Sequence, residues 1–111
     1  MENRAKPDFV FPGVAEYQDM AFDPRRLTML GVKSTCKDRW TQVLAEADRI
    51  DEKHLLTLET AISIHQTDEM QAKRLQLVLP HGLHKTYTAG QQVWLMDVAG
   101  FTQLVLERQK A

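Results

Sequence analysis

At 111 residues the chain has room for one modest core and not for two. Hydrophobic residues at 43% and charged residues at 26% argue against disorder, and no apolar run approaches the roughly 20 residues a membrane-spanning helix requires. Fourteen basic against fifteen acidic residues leave a formal net charge of -1, so any nucleic-acid role must rest on local placement rather than bulk charge.

The stretch from Met1 to Pro12 has no basic region followed by an apolar one, so no signal peptide is expected. The single cysteine, Cys36, cannot form an internal disulfide and suits a reducing compartment. A cytoplasmic protein is expected, with no membrane partner. Internal repeats, low-complexity tracts and Gly/Ser linkers are absent, so residues 1–111 read as a single unit of α/β type.

The first predicted strand is Asp8-Phe9-Val10-Phe11, closed by the turn pair Pro12-Gly13. A polar stretch through Asp23-Pro24 leads to a second strand from Leu27 to Lys33. Its alternation places Leu27, Met29, Gly31 and Lys33 on one face and Thr28, Leu30 and Val32 on the other. Ser34 and Thr35 are candidate N-caps for a helix running to about Ile50. In it Trp40, Val43, Leu44 and Ala47 form a buried stripe, while Arg39, Gln42, Glu46 and Arg49 share the polar side. A third strand (Leu55–Leu58), a short helix (Thr67–Arg74) and a fourth strand (Leu75–Leu79) make a βαβ unit, so this part of the sheet is expected to be parallel. The tail from Gln91 to Arg108 reads as one helix, or two split near Gly100, covering one sheet face.

Two adjacent strands offer an unusual juxtaposition: an acid, Asp8, at the start of one and a lysine, Lys33, at the end of the next. Phosphodiester hydrolysis needs a divalent cation to neutralise charge, a nucleophilic water and an ordered line of attack. Carboxylates and a lysine held by a sheet can supply these. Mg²⁺ keeps several waters and needs only one or two carboxylates besides a phosphate oxygen.

This pattern resembles the PD…(D/E)xK nuclease superfamily, in which Pro-Asp opens one strand and acid-x-Lys closes the next. Pro7-Asp8 matches the first element, but Gly31 stands where the second acid belongs. Some restriction enzymes of the superfamily carry that acid on the following helix, and Glu46 is the candidate here. A longer signature resembles the C-terminal catalytic domain of EcoRII-like type II restriction endonucleases. It comprises Lys6-Pro7-Asp8-Phe9, Gly31-Val32-Lys33-Ser34-Thr35-Cys36-Lys37-Asp38-Arg39-Trp40, Glu46-Ala47-Asp48-Arg49-Ile50, His54-Leu55-Leu56-Thr57-Leu58, Leu77-Val78-Leu79-Pro80 and Tyr87-Thr88.

The resemblance implies a restriction-endonuclease-like mixed sheet flanked by helices, as a partial domain of a larger body. It implies Asp8, Lys33, Lys37 and Glu46 as the catalytic set, with Tyr17 and Arg39 as accessory residues, and Asp8 and Glu46 as ligands of Mg²⁺. Lys37, near a helix N-terminus, and Arg39 are expected to hold DNA phosphates. Double-stranded DNA is the implied partner, a short palindrome related to CCWGG the implied target, and a homodimer the implied assembly. The rival expectation is a catalytically inert remnant that binds DNA or protein at most, since few residues precede Pro7.

Taken singly these residues are ordinary: Asp8 reads as a turn acid, Lys33 as a solvated strand end, and Glu46 as an exposed helix residue paired with Arg49. Their order within the longer signature reverses that preference. Trp40 and Trp94 read as core, His81 and His84 as turn residues with no zinc partner set, and Lys73-Arg74 as a positively charged helix end.

Overall fold

A computed structural model describes residues 8–35, 40–47 and 49–110. Its centre is a four-stranded mixed sheet in the order β1-β2-β3-β4. The strands are β1 (Phe9–Phe11), β2 (Thr28–Val32), β3 (Lys53–Leu56) and β4 (Leu75–Val78). β1 runs antiparallel to β2, while β2, β3 and β4 are mutually parallel. The parallel pair β3 and β4 is joined by the crossover helix α2 (Ile64–Ala72), as the alternation of apolar strands around one helical segment requires.

The two faces of the sheet follow from the period of two along each strand. Val10, Leu27, Met29, Leu55, Leu75, Leu77 and Leu79 point to one side, where they pack with Trp40, Val43, Ile50 and Met70. Leu30, Leu56 and Val78 point to the other, against Phe101 and Val105 of helix α4 (Val98–Lys110). Leu55 and Leu77 are fully buried, and each contributes roughly 1.5–3 kcal/mol by leaving water. The long C-terminal helix therefore covers one sheet face, as its apolar spacing predicts.

Caps fix the helix ends. Ser63 accepts a hydrogen bond from Gln66 N at the start of α2. Thr88 and Gln91 form a reciprocal capping box at helix α3 (Ala89–Trp94). The tail divides earlier than Gly100. Met96 leaves the helical path to form a parallel bridge with Val78, and Asp97 Oδ1 then accepts a hydrogen bond from Gly100 N at 2.7 Å to start α4.

Several sequence expectations shift. β3 begins two residues before the expected strand, because Lys53 N donates to Arg74 O at 2.9 Å and extends the ladder. A five-residue helix, α1 (Val14–Gln18), lies in the stretch read as merely polar. His81 and His84 sit in a 3₁₀ helix, His81–Thr86. In the described part of the helix expected from Ser34 to Ile50, a 3₁₀ helix spans Trp40–Ala45 and a turn follows it. Trp40 is buried as expected, whereas Trp94 is only half-buried. Among the described residues no helix is long and apolar enough to cross a membrane.

Candidate active site

The register of the antiparallel pair places Asp8 against the C-terminal end of β2. Phe9 pairs with Leu30, so the next residue outward, Asp8, lies opposite Gly31. There its Oδ2 accepts a hydrogen bond from the backbone N–H of Val32 at 2.6 Å. One carboxylate oxygen is thus pinned across the strands.

Lys33 is the first residue beyond β2, on the same face as Gly31 and Met29. Its backbone N donates to Leu56 O at 3.0 Å, and Thr57 Oγ1 donates to Ser34 O at 3.2 Å. These two bonds tie the lysine-bearing end of β2 to β3, so its position is set by the sheet and not by a free loop.

Glu46 follows the 3₁₀ helix and turns its side chain down onto the sheet. It is only 9% exposed. Its Oε1 stands 3.5 Å from where a Cβ on Gly31 would be. A side chain longer than a methyl at Gly31 would meet the glutamate there: Glu46 reaches, from outside the sheet, the space an in-strand acid would occupy. Oε1 is buried with no hydrogen-bond partner among the described residues, a costly state for a carboxylate oxygen unless something binds it. Burial pushes the Glu46 carboxyl above its usual range; Lys33 opposes that rise, Asp8 adds to it and Lys53 opposes it. Asp8 and Lys33 thus both lie within electrostatic reach of Glu46.

The α-helix expected to carry Glu46 is not what presents it, and the single-residue alternative of an exposed Glu46 paired with Arg49 does not hold. Arg49 Nη1 donates to the carbonyls of Tyr17 and Asp19, and its Nη2 to Phe22 O at 2.7 Å. Those carbonyls lie at or beyond the C-terminal end of α1, where cations are favoured. Tyr17 lies on α1, half-buried against the core, with the Arg49 guanidinium 5.7 Å above its ring. Lys37 and Arg39 fall outside the described residues.

No group of three or more His, Cys, Asp or Glu that could hold a metal occurs among the described residues. The donor set at this site is two carboxylates, one with an unsatisfied buried oxygen. That set fits a hard cation completing its shell with waters and a phosphate oxygen, and does not fit a closed structural zinc site. A separate cavity of about 250 Å³ lies at the opposite end of the strands, between Leu27, Glu52 and Arg74. Its Arg49 is committed to carbonyls and its Arg108 to Glu52 at 2.6 Å, so it carries none of this chemistry.

A family model described as EcoRII C terminal matches residues 1–102. The chain belongs to the EcoRII C-terminal family. Over 100 residues it is 45% identical to the type II restriction enzyme EcoRII of Escherichia coli, covering 90% of this chain and 25% of that protein. It therefore spans about a quarter of the length of that relative. Two solved structures of Ecl18kI, both metal-depleted, one with uncleaved DNA and one with uncleaved, modified DNA, superimpose with a TM-score of 0.76. In each case the match has 21% identity and covers 91% of this chain and 34% of that one. The fold of the EcoRII C-terminal chain is thus the restriction-endonuclease-like mixed sheet flanked by helices.

Within this family member, sequence reasoning missed Lys53 as a residue of the site's surroundings. It lies ahead of the strand expected from Leu55, yet it is 6% exposed, with its Nζ donating to Ala47 O at 2.7 Å and to Ile50 O. The available signal was phase: Lys53 shares its strand face with Leu55, a core residue.

Proposed function

We propose that this domain hydrolyses phosphodiester bonds of double-stranded DNA in a Mg²⁺-dependent reaction, as the catalytic part of a type II restriction endonuclease. The observation that carries the proposal is the buried, unpartnered Glu46 Oε1 lying over side-chain-free Gly31, opposite Asp8 and beside Lys33. The relative named a type II restriction enzyme and the fold shared with a protein seen on DNA support it.

Asp8 and Glu46 would hold the cation, which when bound supplies neutralisation of phosphate charge and acidifies a water. Asp8 is oriented for this by Val32 N–H. Lys33 positions the attacking water near the phosphorus and favours its deprotonated form. Lys37 steadies the scissile phosphate, Arg39 contacts the DNA backbone, and Tyr17 keeps an accessory role beside Arg49. In-line attack on phosphorus breaks the bond to the 3′ oxygen, which takes up a proton, leaving a 5′-phosphate and a 3′-hydroxyl. Cutting both strands calls for two such centres, hence a homodimer.

The test is plasmid digestion with and without Mg²⁺ by wild type, Asp8→Ala and Lys33→Ala. Metal-dependent cleavage by wild type that both variants lose is the expected result. Folded wild type that never cuts would overturn the catalytic reading in favour of an inert DNA- or protein-binding module.

A further inference from the structure

The turn that delivers Glu46 is built around a buried cation. After the 3₁₀ helix, Ala47 takes a left-handed conformation with φ 53°, which alanine adopts only at a cost. Ile50 N then donates to Ala47 O at 2.9 Å, closing the turn. Inside it sits the Lys53 ammonium, donating to Ala47 O at 2.7 Å and to Ile50 O. Two carbonyls of the turn beyond the 3₁₀ helix are thereby held by one positive charge delivered from β3.

The register explains why this lysine can also bear on the site. Gly31 pairs with Leu55, so Lys53 lies one strand over and one side-chain repeat below Gly31, on the same face. Its charge lies within electrostatic reach of Glu46. A lysine this buried is rare unless its charge is matched; the two turn carbonyls accept from it, and Glu46 feels its charge.

We propose that Lys53 is a positioning residue for the metal site, anchoring the Ala47–Ile50 turn so that Glu46 is held over Gly31 in a ligating posture. The role rests on Glu46 being a metal ligand. It involves no contact between Lys53 and substrate or cation, and acts wholly through the carbonyls of the turn and the charge beneath the carboxylate.

The experiment is a calorimetric titration with Mn²⁺ alone of wild type, Lys53→Met and Glu46→Gln, each well below its melting temperature. Groups that orient metal ligands typically alter metal affinity by about 10–100-fold when removed, and a weakening of about tenfold in folded Lys53→Met is expected. An unchanged affinity in Glu46→Gln overturns the ligand assignment itself. Weakening in Glu46→Gln with wild-type affinity in Lys53→Met overturns the role of Lys53 alone.

A second measurement on the wild type covers the case in which Lys53→Met does not fold. With ¹³C-labelled lysine, the Lys53 Cε resonance should move during a Mg²⁺ titration with the same apparent affinity as the Glu46 carboxyl. A Lys53 signal that stays fixed while the Glu46 signal shifts refutes the coupling; a fixed Glu46 signal refutes the site.

Discussion

His54 is a fully buried imidazole on β3, with neither ring nitrogen hydrogen-bonded among the described residues. Its ring stands edge-on to Phe101 at 5.2 Å, on the sheet face that α4 covers. Burial lowers its pKa from 6.5 to about 4, with Glu52 opposing and Arg108 reinforcing the shift. Those two neighbours pair with each other at 2.6 Å, so desolvation governs. As pH falls below 6.5 the unfolded chain binds this proton and the folded chain does not, so stability present above pH 6.5 drains away down to about pH 4. At about 1.4 kcal/mol per pH unit, the gap is worth about 3 kcal/mol. Replacing the ring by an aliphatic group removes that penalty. Urea unfolding of wild type and His54→Leu at pH 7.5, 6, 5 and 4.5 measures it. Carboxylate titrations are common to both proteins, so their difference isolates the histidine. The variant should gain relative stability progressively towards acid. Parallel curves, or an imidazole that titrates near 6.5 in the folded protein by NMR, would refute the argument.

Three further outcomes are expected. Gly31→Ala should leave the fold intact, within about 1 kcal/mol by urea unfolding, because its Cβ would meet the Val43 methyls at 3.4 Å and Glu46 Oε1 at 3.5 Å, both ordinary contacts. Gly31→Leu must displace Glu46 or Val43, costing about 1–3 kcal/mol, and should abolish metal-dependent cleavage in the plasmid assay. Arg49→Met strips the donors from the Tyr17, Asp19 and Phe22 carbonyls and should lower stability by about 1–3 kcal/mol in thermal melts. Thr88→Ala opens the capping box of α3 and should cost about 1 kcal/mol in the same assay.

The strands were legible because alternation of residue type maps directly onto two sheet faces. β2 and β4 fall within a residue or two of where that pattern places them, and the parallel β3-α2-β4 unit follows from the helix between two apolar runs. The placement of Asp8 against the end of β2 that leads to Lys33 was legible for the same reason, since it depends only on strand pairing. The segment after β2 was not. An apolar stripe at three- and four-residue spacing fits an α-helix, yet it also fits a 3₁₀ helix ending in a left-handed residue, and periodicity does not separate the two. What chose between them lies outside the apolar stripe: Lys53, six and three residues on, holds the Ala47 and Ile50 carbonyls, and Arg49 reaches across 27 residues to Phe22 O. α1 itself, at five residues, is too short to leave a periodic trace.

β1 is three residues long and bonded along one side only among the described residues, and Phe9 at its tip is 53% exposed. Short, wet margins of a fold open with far less free energy than its centre does. Asp8 rides on that margin while Glu46 is lodged in the interior, so the two halves of the proposed metal cradle differ in how firmly they are tethered. Warming should therefore dismantle the cradle by peeling off its outer half, silencing the protein at temperatures where β3, β4 and the helices around them remain folded.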